Sequence, residues 1–148
     1  MATPANNANI MPEIVYKNEC KIIYGLLFKI QNDLGTNFQE KHYQRAFEGH
    51  LNENKIPYEK EFPLEVNYHG NILGKFFVDF TVWNKIIIEF KTTNIITSDH
   101  LKQVLRYLQA SDMKLGLIVN FRQRPLKPVR VLNSKVSHSR DSQAKPLA

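Results

Sequence analysis

Cysteine occurs once in the 148 residues, at Cys20, so the chain can form no internal disulfide and no Cys-rich zinc site. That usage suits a reducing compartment. No apolar run approaches the ~20 residues needed to cross a bilayer, and the opening stretch MATPANNANIMPEIVYKNE has no apolar segment of the kind a signal peptide needs. A cytoplasmic protein without a membrane partner is the expectation. Internal repeats and low-complexity tracts are missing too, and six Gly and seven Pro are too few for a fibrous or disordered chain. With 43% hydrophobic residues, a chain of this length supports one core and one domain.

Acidic residues are scarce in the C-terminal third. From Lys114 to Ala148 eight Lys/Arg face Asp141 alone, whereas the rest of the chain balances at −1. A basic third of this kind suits a polyanionic partner such as nucleic acid, with Arg122 and Arg124 as candidate contacts, although a solvated tail that serves solubility fits the charge equally well.

Residues 1–11 are rich in Ala, Asn and Pro and read as a flexible N-terminus, and residues 134–148 read as a flexible basic tail. The domain expected between them spans 12–133. Ile22, Ile23, Leu26, Leu27 and Ile30 recur at helical spacing and Gly35 ends that helix. A second helix is predicted over about Phe38 to Glu53, with Tyr43, Ala46, Phe47 and Leu51 inward, and Pro57 closes it. YEKEFPLEVNY and NILGKFFVDFTVW alternate and meet across His69 and Gly70, the mark of a hairpin. A second tight turn at Trp83 and Asn84 leads into KIIIEFK, whose unbroken isoleucines predict a strand covered on both faces. A helix capped near Thr97 and carrying Leu101, Val104, Leu105 and Leu108 follows, then the buried strand KLGLIVNF and a short edge strand at VRVL. The order ααβββαβ predicts an α/β fold, a mixed central sheet flanked by helices, with the strands at 86–91 and 115–120 parallel.

Three charges surround the most apolar of these strands. Glu89 and Lys91 project from one face, about 7 Å apart, and the turn at Trp83–Asn84 brings Asp79 to the level of Glu89 on the neighbouring strand. A buried carboxylate is costly unless paired or bound to a cation. Two carboxylates are what Mg²⁺ takes from a protein, leaving its other positions to water and substrate phosphate, and a lysine beside them can steady charge that grows on the phosphate. The plainer alternative is a strand-edge salt bridge of Lys91 with Asp79 or Glu89. His100, Gln103 and Tyr107 form a polar stripe on the following helix, either a surface for nucleic acid or the solvated shoulder of an amphipathic helix. Glu40 shares a helix face with Tyr43 and Phe47, and is either a further metal-site carboxylate or the third residue of a capping box begun by Asn37.

LGTNFQEKHYQRAFEGHL, IPYEKEFPLEVNYHG, VDFTVWNKIIIEFK, HLKQVLRYLQ and KLGLIVNF, taken in this order, resemble the GxxExxY proteins of the PD-(D/E)xK nuclease-like superfamily, over roughly residues 13–133. The name-giving motif falls on Asn37, Glu40 and Tyr43, with Asn in place of Gly. The resemblance implies a restriction-endonuclease-like core in which Asp79, Glu89 and Lys91 match D…ExK, Gln103 and Tyr107 match the QxxxY of the RecB-like branch, and Glu40 matches an added helix acid. It further implies Mg²⁺ or Mn²⁺ held by Asp79, Glu89, Glu40 and the carbonyl of Phe90.

The leading expectation is therefore a metal-dependent nuclease that hydrolyses phosphodiester bonds of DNA or RNA. The alternative is a catalytically silent module that keeps the fold to bind nucleic acid or protein. A bare core offers little recognition surface, so a homodimer or a partner protein is also expected to complete it.

Overall fold

The structure is a computed structural model, and it describes residues 14–133. The N-terminus of residues 1–11 and the tail of residues 134–148, both expected to be flexible, lie outside the described residues. Helix α1 spans Lys17–Leu34 and α2 spans Glu40–Glu53. Strands β1 (Tyr58–Tyr68), β2 (Asn71–Val82) and β3 (Ile86–Lys91) follow, then α3 (Ser98–Ser111), β4 (Leu115–Asn120) and β5 (Val129–Leu132).

The five strands form one mixed sheet in sequential order, antiparallel except for the parallel β3–β4 pair that α3 connects. Both tight turns fall where the sequence places them. His69 and Gly70 at the β1–β2 turn, and Trp83 and Asn84 at the β2–β3 turn, adopt the left-handed backbone that tight hairpin connections demand.

Helices cover both faces. Ile86, Ile88 and Phe90 of β3 pack with Ile23, Leu27, Ile30, Phe47 and Leu51 of α1 and α2. Ile87 packs on the other face with Val104 and Leu108 of α3. This alternation explains the unbroken Ile86–Ile88 run, because every position of that strand meets a core. Gly116 of β4 lets α3 settle close to the sheet: a Cβ there would lie 2.4 Å from Val104 Cγ1.

Two helical stripes differ from their sequence reading. Ile22 is 49% exposed, because the buried arc of α1 runs through Cys20, Ile23, Leu27, Ile30 and Gln31. On α3, Leu105 is 36% exposed and Tyr107 is buried in its stead. The cause is the β1–β2 hairpin, which outreaches the rest of the sheet and folds over α3, setting the Phe76 ring 5.7 Å from that of Tyr107.

That folding-over has its pivot at Asp79. Val78 and Phe80 stand two residues apart, yet Val78 packs in the α3 core and Phe80 in the α1–α2 core. Pairing of β2 with β3 ends at Phe80–Ile88, so beyond it β2 has β1 as its ladder partner, and two-stranded ribbons twist more than wide sheets. On β1 the residue opposite Asp79 is Glu61, which lies between the pairs Lys60–Phe80 and Phe62–Val78 with a left-handed φ of 51°. The backbone is thus irregular on both sides of Asp79.

Candidate active site

One residue past the last β2–β3 backbone pair, carboxylates take over the ladder. The Asp79 N–H donates to Glu89 Oε1 at 3.1 Å, and the Phe90 N–H donates to Asp79 Oδ2 at 2.8 Å. Each acid therefore satisfies a backbone donor on the opposite strand, which is how an aspartate is tolerated within a strand. Glu89 is buried and Asp79 half-buried. Burial, followed by the charge of Asp79 and a hydrogen bond with its carboxyl, pushes the Glu89 carboxyl up to about 9, while the nearby Lys91 opposes the shift.

Lys91 ends β3 half-buried, on the face of the sheet that Glu89 occupies. Its Nζ donates to Gln103 Oε1 at 3.2 Å. Ion pairs among the described residues join Lys29 to Asp33, Lys60 to Glu48 and Lys85 to Glu19, so the strand-edge salt bridge of Lys91 with Asp79 or Glu89 does not form.

Gln103 in turn lies close enough to the Tyr107 hydroxyl to lower its pKa. Burial and the charges of Glu89 and Asp79 hold that hydroxyl up at about 12, so it stays neutral. Tyr107 is no solvated shoulder. A line of polar groups runs from α3 to the end of β3 through Tyr107, Gln103 and Lys91. His100, at the head of the same stripe, is occupied differently: its Nδ1 accepts the Thr97 N–H at 3.0 Å and its own N–H donates to Thr97 Oγ1 at 3.3 Å, closing a capping box.

Glu40 arrives from the opposite helical layer. The capping box of α2 is built by Gln39 and His42, not by Asn37 and Glu40, because the backbone is still extended at Gln39 and Glu40 is the first helical residue. Its carboxylate, freed from capping, faces the Thr92 backbone just past β3, which lowers its pKa slightly. Burial, then the charge of Asp79, raises the Glu40 carboxyl, and Lys91 lowers it. The aromatic packing beneath fixes this approach. Tyr43, one turn along α2, stacks on Phe121 at 4.2 Å, and Phe121 stacks on Phe90 at 5.3 Å. The Tyr43 hydroxyl donates to the Gly35 carbonyl at 2.6 Å and accepts the Phe38 N–H at 3.2 Å, which locks the turn that leads into Glu40.

Asp79, Glu89, Phe90, Lys91, Gln103, Tyr107 and Glu40 thus converge at one end of β3. Arg122 and Arg124 lie outside this group, exposed on the segment after β4. Sequence reasoning passed over two positioning residues. Asn120 is buried; its Oδ1 accepts the N–H groups of Thr93 and Arg122, and its Nδ2 donates to the Thr93 carbonyl at 2.8 Å. Gln31 is buried as well and donates to the carbonyls of Phe121 and Gln123 at 3.0 and 2.7 Å. The signal for Asn120 was a polar residue closing the apolar run LGLIV, whereas Gln31, next to Lys29 and Ile30, carried none.

The family model described as the PD-(D/E)XK nuclease superfamily matches residues 17–131. The chain belongs to the PD-(D/E)XK nuclease superfamily. Among solved proteins it is similar to SSO0001, whose crystal structure aligns with a TM-score of 0.52 at 17% identity, over 86% of this chain and 72% of that one. That likeness concerns the fold, and it supports the restriction-endonuclease-like mixed sheet expected from the sequence. No curated protein matches the chain. Among the described residues of this superfamily member no helix is long and apolar enough to cross a membrane.

Proposed function

We propose that this chain is a divalent-metal-dependent nuclease that hydrolyses phosphodiester bonds of DNA or RNA in the cytoplasm, and that it is a GxxExxY-type protein of the RecB-like branch. The observation that carries the reading is the reciprocal bonding of Asp79 and Glu89 at the point where the β2–β3 ladder opens, with Lys91 two residues on. Superfamily membership supports the reaction class.

Among the described residues no three His, Cys, Asp or Glu side chains already form a metal-binding cluster. The donors nevertheless fit Mg²⁺ or Mn²⁺. Carboxylate and carbonyl oxygens are the hard ligands these ions prefer, and Mg²⁺ in particular needs few of them from protein. A buried glutamate that holds its proton up to about 9 marks a place where positive charge is wanted. Asp79, Glu89 and the Phe90 carbonyl would hold the ion, with Glu40 adding a carboxylate from α2. When bound, such an ion polarises a phosphodiester and lowers the pKa of bound water.

The chain's own groups do the remainder. Hydrolysis forms one P–O bond to a water oxygen and breaks one to the leaving oxygen, so negative charge builds on the phosphoryl oxygens. The Lys91 ammonium stands beside the acids, where it opposes that charge. Gln103 accepts from Lys91 Nζ without neutralising it and fixes its direction, with Tyr107 one helical turn on beside it.

The test is cleavage of labelled DNA and RNA, single- and double-stranded, with Mg²⁺, Mn²⁺ or EDTA. Cutting that needs the metal and disappears in Glu89→Ala and Lys91→Ala supports the nuclease. Binding without cutting in any metal would instead make the chain a silent nucleic-acid module.

A further inference from the structure

A second concave surface lies across β4 from the acids. It is a groove of about 580 Å³, walled on one side by Asn94, Ile95 and Ile96 of the β3–α3 loop and on the other by Gln123, Arg124 and Lys127 of the β4–β5 segment. Asn120, at its base, ties the two walls together through the bonds to Thr93 and Arg122 already described. Gln31 anchors the second wall from below through the Phe121 and Gln123 carbonyls. The groove is therefore built on two buried amides and does not depend on loop sequence alone.

Its lining divides by chemistry. Ile95 is 69% exposed beside Ile96 and Pro128, an apolar surface with little reason to face water. Arg124 and Lys127 are exposed cations, and neither joins an ion pair among the described residues. Between Met113 and Asn133 there are five Lys/Arg and no Asp or Glu, so this wall has no internal counter-charge in its own stretch of chain. Asp99, on the first turn of α3, is the acid nearest in sequence to the opposite wall. Amide groups of Asn94 and Gln123 stand among these residues. Apolar surface, cations and amides together match the base, phosphate and polar edges of a nucleotide.

The groove also lies in line with the proposed centre. Lys91 pairs with Asn120 in the β3–β4 ladder, so the groove begins where that pair ends. Two strand spacings, roughly 10 Å, separate β2 from β4, a gap that a short unpaired stretch of strand can bridge.

We infer that this groove receives an unpaired nucleotide of the strand that runs through the active site, its phosphate on Arg124 and Lys127 and its base against Ile95, Ile96 and Pro128. The inference rests on the nuclease reading for the direction of the strand, and it makes single-stranded nucleic acid, or a frayed duplex end, the substrate class. In a closed duplex the base is stacked and paired and cannot reach the apolar wall.

Binding measured without metal separates this inference from catalysis. The full chain in EDTA is titrated into a fluorescein-labelled 12-nucleotide single strand and into the duplex of the same sequence, over a range of salt, with anisotropy as the readout. Wild type should bind the single strand several-fold more tightly than the duplex. Lys127→Ala and Arg124→Ala should each weaken single-strand binding and reduce the salt slope by about 0.7. Ile95→Ser should erase the single-strand preference while leaving the salt slope unchanged. Equal affinity for both substrates, or slopes unmoved in Lys127→Ala and Arg124→Ala, would overturn the groove. Failure to cleave in wild type, with the binding pattern intact, would overturn the nuclease reading and leave the groove standing.

Discussion

Asp79 and Glu89 exchange places with the backbone: the Asp79 N–H binds the Glu89 carboxylate at 3.1 Å, and the Asp79 carboxylate binds the N–H of Phe90 at 2.8 Å. The hydrophobic strand is the scaffold for this exchange. Ile86 and Ile88 hold β3 in one core and Ile87 in the other, so its end cannot drift when the ladder to β2 opens. The opening delivers two carboxylates to one point, at the cost of burying Glu89.

That burial gives a pH signature. In the folded chain without metal Glu89 keeps its proton up to about 9, whereas the unfolded chain releases it near 4.5. The folded state then binds more protons over that window, and the stability contributed by the proton is complete below about 4.5 and lost as pH rises towards 9. Glu89→Gln mimics the protonated form. In EDTA it should match wild type near pH 5 and exceed it near pH 8 in urea denaturation. Mg²⁺ or Mn²⁺ competes with the proton, so metal affinity measured by calorimetry should rise with pH in wild type and be lost in Glu89→Gln. A wild-type advantage at pH 8 without metal would contradict the assignment.

Lys91 and Gln103 separate a charge from its support. Loss of one group that stabilises developing negative charge typically costs about 10²–10³ in kcat. Lys91→Met should fall in that range or below detection. Gln103→Ala keeps the ammonium but frees its direction, so a smaller loss is expected, with the same metal requirement. Single-turnover cleavage compares the two, and equal losses would mean that Gln103 acts directly on substrate.

Glu40 shows where local sequence rules mislead. Asn37 and Glu40 have capping-box spacing, but the helix starts two residues later than that box requires, and Gln39 with His42 forms the cap. The purpose of Glu40 emerges when α2 is laid against β3 by the Tyr43–Phe121–Phe90 stack, a contact between residues far apart in sequence. Strand alternation, both hairpin turns and the coupling of Asp79 to Glu89 were legible, since each depends on a short period or a tight turn. The burial of Tyr107 was not, because it follows from the twist of a hairpin that leaves the sheet. Spacing alone offers no measure of that twist.

The part Glu40 plays at the site can be separated from the cap that starts its helix. Glu40→Gln should leave the melting temperature nearly unchanged while lowering metal-dependent cleavage. His42→Ala should do the reverse, destabilising the fold by about 1 kcal/mol through loss of the cap, with cleavage retained at temperatures where the variant is folded. Thermal melts and cleavage assays on the same preparations decide it.

Gly116 governs how closely α3, and with it Gln103 and Tyr107, lies on the sheet. A methyl group at this position meets Val104 Cγ1 at 2.4 Å, so the helix must lift or the valine must turn. Overpacking of this kind costs about 1–3 kcal/mol, and Gly116→Ala should show it in urea denaturation. Val104→Ala removes the clashing methyl group, so the double variant should recover part of the loss relative to the sum of the single changes. Lifting the helix would also move Gln103 away from Lys91, and Gly116→Ala should therefore lose activity beyond its loss of folded protein. If the double variant recovers stability and activity together, the α3–β4 spacing sets the site. If stability returns and activity does not, the position of Lys91 is set from β3 alone.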